Sequence, residues 1–363
     1  MSGEFKKTKN YYQVAAKYEP ENLLFPYELS NFKKEILDSN LKSKIDKIIK
    51  EKKSTKKNLA YGNFLLSKYE LKNRNYENEF NYLIKGHQYY FQSQGKAFAE
   101  GVNYCLNELP KIKELINLKS NSKKDYKIKP IFIVGVPRCG STLVEKVIAS
   151  GTKFIPIGEE TSTINFFVDK IIIEKKSINL NIEKIKKEVI ARYKNQGLLK
   201  KENDYIFTDK TLDNFFFIGL IKKIFPNAKV INCRRNSLAS IMSIMKNNLV
   251  DVAWAHNLEH IFKFFDIYHR VTESFKKKFP NFIYEIEFEQ FVSNPEIESK
   301  KLLKFCDLPW DIKCLEFYKR KDLVSRTASN IQIRKAIYKD SPDKYSFYKK
   351  FLYKYGKKYS WFK

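Results

Sequence analysis

Residues 130–150 read Pro-Ile-Phe-Ile-Val-Gly-Val-Pro-Arg-Cys-Gly-Ser-Thr-Leu-Val-Glu-Lys-Val-Ile-Ala-Ser. The run Ile131 to Val134 is continuously apolar, as a parallel strand buried on both faces requires, and Gly135 to Gly140 punctuate a tight loop. Ser141 and Thr142 then open an amphipathic helix. A strand, loop and helix in this order leave backbone N–H groups at the positive end of a helix dipole, which suits a phosphate or sulfate. The spacing Gly135-x-x-x-x-Gly140 is that of a Walker A loop, yet Ser141 stands where a nucleoside triphosphatase carries its lysine. The cation, Arg138, sits inside the loop instead, which points to a phosphoryl or sulfuryl group of a different nucleotide.

Outward from this stretch the chain alternates strands and helices. Candidate strands lie at 131–136, 154–157, 205–208, 229–233 and 282–287. The pattern predicts an α/β domain, a P-loop-type three-layer fold with a central parallel sheet. Ligands of such sheets bind beyond the carboxyl ends of the strands. Four polar groups follow strands in this way: Arg138 with Ser141 and Thr142; Gly158-Glu159-Glu160-Thr161; Asp209-Lys210; and Arg234-Arg235.

Upstream, from about 29 to 118, apolar residues recur at three- and four-residue spacing, which predicts an all-helical region. Phe64-Leu65-Leu66, a polar turn at 72–75, and Tyr76-x-x-x-Phe80-x-x-Leu83-x-x-Gly86 resemble one tetratricopeptide helix hairpin, with Glu79 where that repeat wants a small residue. The polar stretch 119–129 marks the boundary between a helical region, 1–128, and the α/β domain, 129–363.

The 363 residues carry 69 Lys+Arg against 41 Asp+Glu, a net charge of +28. The lysines are dispersed rather than gathered in one stripe, so the charge permits an anionic ligand without specifying nucleic acid. Cys105, Cys139, Cys233, Cys306 and Cys314 are odd in number and widely spaced, so neither a disulfide framework nor a zinc site is expected. His256-x-x-x-His260 has a metal-compatible spacing but no third ligand beside it, and no metal is expected. No stretch reaches the roughly 18 apolar residues of a membrane span and residues 1–15 lack an apolar leader core, which predicts a cytoplasmic protein.

Taken together, these motifs resemble those of the 3′-phosphoadenosine-5′-phosphosulfate (PAPS) dependent sulfotransferases, specifically the bacterial type with a tetratricopeptide-like N-terminal region, and more distantly the tyrosylprotein sulfotransferases. Pro137-Arg138-Cys139-Gly140-Ser141-Thr142 is similar to the family's 5′-phosphosulfate loop, with Cys139 for the usual serine. Arg235 and Ser243 have the eight-residue separation of its 3′-phosphate motif, with Asn236-Ser237 where the family has Asp-Pro. Residues 288–295 and Leu308-Pro309-Trp310 resemble its C-terminal landmarks. Thr327-Ala328-Ser329 and Gln332-Ile333-Arg334 resemble a segment that closes over the nucleotide.

The resemblance implies sulfuryl transfer from PAPS, without metal, to the hydroxyl of a small molecule, glycan or protein tyrosine. It implies Arg138, Cys139, Gly140, Ser141, Thr142, Arg235, Ser243 and Arg334 as nucleotide contacts, and Arg138 and Lys210 as charge stabilisers. Gly158-Glu159-Glu160-Thr161 resembles the tyrosylprotein enzymes' Gly-Glu-Glu-Thr, whose second glutamate is the base, which makes Glu160 the candidate. Ser162 stands where those enzymes carry arginine. Glu159 and His256 remain alternative bases. Two other readings stay open: a P-loop kinase or triphosphatase, and a non-enzymatic module whose helices bind an acidic partner. A protein partner is compatible with the N-terminal helices in either case.

Overall fold

The computed structural model describes residues 5–51, 53–111, 127–151, 155–174, 182–199, 205–320, 322, 336–337 and 344–362. Helices α1 (Phe5–Tyr18), α2 (Leu24–Leu29), α3 (Ser39–Lys50), α4 (Lys56–Lys72), α5 (Tyr76–Gln94) and α6 (Lys96–Asn103) come first. Strand β1 (Ile131–Gly135) leads into α7 (Ser141–Ala149), α8 (Thr163–Glu174) and α9 (Ile182–Asn195). Then follow β2 (Thr208–Asp209), α10 (Ile218–Ile224), β3 (Lys229–Arg234), α11 (Ser237–Lys246), α12 (Leu258–Lys278) and β4 (Ile283–Glu287). The remaining helices are α13 (Phe288–Ser293), α14 (Pro295–Phe305) and α15 (Lys349–Gly356). No described helix is long and apolar enough to cross a membrane.

The chain divides into two compact units. The first comprises Met1–Asn107, Ile241–Phe264 and Pro342–Lys363; the second comprises Glu108–Ser240 and Phe265–Ser341. Two late segments therefore belong with the N-terminal helices.

The second unit is built on a parallel sheet of order β2-β1-β3-β4. Ile131, Phe132, Ile133 and Val134 of β1 are buried on both faces, as are Val230 and Ile231 of β3. Side chains of this size contribute about 1.5–3 kcal/mol each when withdrawn from water. These central strands explain why their apolar runs are continuous rather than alternating. The strand expected at 154–157 does not form over 155–157. The Pro156 carbonyl accepts from Thr208 N at 3.0 Å, but proline has no N–H to return, so the segment runs beside β2 without becoming a strand and is joined further on by Lys210 N to the Gly158 carbonyl at 2.8 Å and by the Glu159↔Lys210 bridge.

In the first unit, the side chains of Thr55 and Asn75 cap α4 and α5 by accepting from Asn58 N and Asn78 N, each at 3.2 Å. The two helices form a hairpin around Asn73–Asn75. Gly86 permits their close approach, because a Cβ there would lie 2.6 Å from the Phe64 ring. Glu79, the misfit of the tetratricopeptide pattern, is a buried carboxylate paired with Lys246 at 2.9 Å.

Candidate active site

The loop between β1 and α7 is held in a conformation most residues avoid. Arg138 has φ +70° and Gly140 φ +95°, both in the left-handed region. A Cβ on Gly140 would stand 2.3 Å from the Phe288 ring, so glycine is required there by space as well as by backbone. Ser141 and Thr142, both buried, begin α7, where first-turn N–H groups have no intrahelical acceptor. Cys139 is buried beneath the loop, and its thiol is held below the ordinary value chiefly by a hydrogen bond from Cys233.

Of the two arginines ending β3, the fold gives each a different task. Arg234 is occupied by carboxylates: its Nη1 lies 3.1 Å from Glu273 and 3.1 Å from Glu285, and its Nε 3.6 Å from Glu287. Arg235, with the Glu289 carboxylate 3.9 Å from its Nε, donates from Nη1 to the Arg138 carbonyl at 3.1 Å, its guanidinium 4.6 Å from the Phe288 ring centroid. Two basic motifs 97 residues apart thus meet at one loop. Asn236, the departure from the family turn, caps α11 by accepting from Ala239 N at 3.0 Å. Ser243 lies farther along α11, buried, in the part assigned to the first unit.

Past the end of β2 lies the second cluster. Lys210, 2% exposed at its side chain, pairs with Glu159 at 3.1 Å. Burial, the largest influence, pulls the Lys210 ammonium down, but Glu145 and Glu159 outweigh it and keep it above its ordinary value. Lys210 is therefore a cation at any physiological pH. Glu160 has φ +54° and an exposed side chain, with its N–H 3.4 Å from the Lys210 carbonyl. The adjacent glutamates are thus separated, one buried against the lysine and one presented outward.

Glu145 has no signature in the sequence, where it reads as an ordinary helix carboxylate. It is fully buried on α7 and accepts from Thr208 Oγ1 at 2.8 Å; the same hydroxyl accepts from Gly158 N at 3.1 Å. This relay ties α7 to the loop bearing both glutamates. Burial pushes the Glu145 carboxyl up against the pull of Lys210 and Lys146. Next to it, Asp209 accepts from Thr161 Oγ1 at 2.7 Å and from Tyr193 Oη at 2.5 Å, fixing the end of the same loop. Arg334 and residues 327–329 lie outside the described residues.

His256 stands in the first unit, buried, with Nδ1 3.0 Å from His87 Nδ1 and Nε2 3.1 Å from the Leu249 carbonyl. Both ring nitrogens already face protein groups, which leaves it poorly suited to take an acceptor's proton. Burial lowers His87 to about 4 and His256 to about 3. An unfolded chain takes up protons on these rings near pH 6.5, so folded stability is complete above about pH 6.5 and declines as pH falls towards about 4. Melting temperatures measured across this window are expected to fall less steeply in a His87→Gln/His256→Gln variant than in the parent; equal slopes would show that the pair does not contribute.

Residues 130–312 match the sequence profile described as the sulfotransferase family. An uncharacterised protein of Aquifex aeolicus is 28% identical over 382 aligned positions, covering 96% of this chain and 47% of that protein. The protein-tyrosine sulfotransferase of Drosophila melanogaster is 27% identical over 202 positions, covering 50% of this chain and 38% of the relative. The chain therefore spans about half or less of the length of these relatives. Among solved structures, the sulfotransferase domain of the Synechococcus PCC 7002 olefin synthase aligns with TM-score 0.46 and 19% identity, over 63% of this chain and 91% of that one.

Proposed function

The chain belongs to the sulfotransferase family, and we propose that it transfers a sulfuryl group from PAPS to the hydroxyl of a small molecule, glycan or protein tyrosine. PAPS supplies the sulfuryl group and a phosphate leaving group; this chain's residues bind, orient and neutralise. Amides of the 138–142 loop, the hydroxyls of Ser141 and Thr142, and Arg138 hold the 5′-phosphosulfate. Arg235 and Ser243 hold the 3′-phosphate, with Arg334 a further contact on the family pattern. Residues 129–363 carry these groups and 1–128 the preceding helices.

Sulfuryl transfer, like phosphoryl transfer, passes through a loose transition state whose negative charge grows on the leaving oxygen. A fixed cation in a dry site stabilises that charge most, and Lys210, held charged by Glu159 and Glu145, supplies it. Glu160, presented outward beside it, accepts the acceptor's proton. The observation that carries the reading is the hydrogen bond from Arg235 to the Arg138 carbonyl, which joins the two anion-binding motifs.

Saturating 3′,5′-adenosine bisphosphate should stabilise the full chain. At about 100 times its Kd it adds about 2.7 kcal/mol, a rise of about 3–4 °C in Tm. ATP with magnesium should give no comparable shift, and Arg235→Ala should abolish most of the bisphosphate effect. A shift with ATP and magnesium alone would overturn the reading in favour of a triphosphate enzyme.

A further inference from the structure

The last turn of α11 is held by an unusual set of polar side chains, all within the first unit. A helix end leaves its final carbonyls without intrahelical donors. One of them, Met245 O, lies 2.8 Å from His87 Nε2 on α5. A carbonyl can only accept, so His87 Nε2 is the donor in this contact; His87 Nδ1 lies 3.0 Å from His256 Nδ1, and His256 Nε2 lies 3.1 Å from the Leu249 carbonyl. One residue on, Lys246 Nζ pairs with Glu79 Oε1 at 2.9 Å and donates to Tyr348 Oη at 2.8 Å, and Tyr348 donates in turn to Glu79 Oε2. Asn247 Nδ2 closes the turn on the Ser243 carbonyl at 2.7 Å.

Glu79 and His87 are each 1% exposed, in a helix face otherwise lined by Phe80, Leu83 and Tyr90. Apolar residues of the same volume would pack there at no greater cost, because desolvating a charged pair consumes most of its attraction. What polar partners add over apolar ones is direction. A leucine contact tolerates rotation of α11 about its axis, whereas two hydrogen-bonded points on successive residues do not. Ser243 lies one turn before Lys246 on that helix. A rotation of about 15° would move a serine Oγ, carried at about 4 Å from the axis, by about 1 Å, enough to lose a hydrogen bond to an anion.

We propose that Glu79 and His87 of α5 are positioning residues for Ser243, fixing the axial rotation of the last two turns of α11 through Lys246 and the Met245 carbonyl. The proposal rests on the assignment of Ser243 to the 3′-phosphate. A role in stability alone would weaken all nucleotides together. A role in positioning weakens only those that carry a 3′-phosphate.

The test measures Kd of the full chain for 3′,5′-adenosine bisphosphate and for adenosine 5′-monophosphate, and takes their ratio. Ser243→Ala is expected to lower the preference for the bisphosphate about tenfold or more, the worth of one hydrogen bond to a charged group. Glu79→Leu and His87→Phe are each expected to lower it about fivefold, with monophosphate affinity within about twofold of the parent. His87→Gln, whose amide can still donate to Met245 O, should recover most of the preference. If His87→Phe does not fold, Lys246→Met cuts the same grip and is read by the same ratio. An unchanged ratio in Ser243→Ala refutes the ligand assignment itself. A lowered ratio there, with unchanged ratios in the folded Glu79, His87 or Lys246 variants, refutes the positioning role alone.

Discussion

Lys210→Met is expected to lower kcat about a hundred- to thousandfold while changing the Kd for 3′,5′-adenosine bisphosphate little. That range is what loss of one aimed donor to a developing anion costs in other transfer reactions. The side chain is nearly inaccessible and stands against Glu159, in the field of Glu145, so the same change leaves buried carboxylates without their cation. Removing one partner of such a group costs about 3–5 kcal/mol, and a fall in Tm will accompany the kinetic loss. The two effects separate when turnover is measured well below the variant's Tm, with circular dichroism establishing that it is folded. A folded Lys210→Met protein with parental kcat would remove the lysine from the mechanism.

Glu160→Gln is expected to lower kcat about a hundred- to ten-thousandfold, the usual worth of a general base, with Tm essentially unchanged. The side chain is exposed, so the substitution leaves no buried charge uncompensated. Glu159→Gln makes the necessary contrast. It removes the negative partner 3.1 Å from the Lys210 ammonium, so it should lower Tm, and it should slow turnover through Lys210 rather than by loss of a base. The distinguishing measurement is a solvent and acceptor comparison: an acceptor whose hydroxyl is already ionised at the assay pH needs no base and should restore much of the rate in Glu160→Gln but not in Glu159→Gln. Restoration in Glu159→Gln alone would exchange the two roles.

Much of the second unit is visible along the chain because its signals are local. β1, β3 and β4 begin and end within two residues of their expected bounds, since a buried parallel strand must be apolar throughout and its neighbours in sequence must turn. The residues that follow strand ends collect at one edge of the sheet for the same topological reason. The segment 154–157 looked equally strand-like, and the failure there is chemical: Pro156 can accept from β2 but cannot donate back. Arg234 and Arg235 are indistinguishable by type or spacing. Only the placement of Glu273, Glu285 and Glu287 shows that the first is consumed structurally and the second faces the loop.

The sequence by itself determined the build of the loop between β1 and α7. Gly135, Arg138, Gly140 and Ser141 stand within seven residues, and a strand, turn and helix N-terminus are set by interactions of that range. It also determined the family, because both anion-binding motifs are contiguous. Tertiary structure alone decided which carboxylate faces which way, that Glu145 stands beside Thr208 and in the field of Lys210, and that 241–264 and 342–363 pack with the N-terminal helices. Apolar periodicity declares that a helix face will be buried but not what will bury it. A carboxylate likewise acquires its role from the cation and hydroxyl that the fold brings beside it, here Lys210 and Thr208, from 65 and 63 residues away.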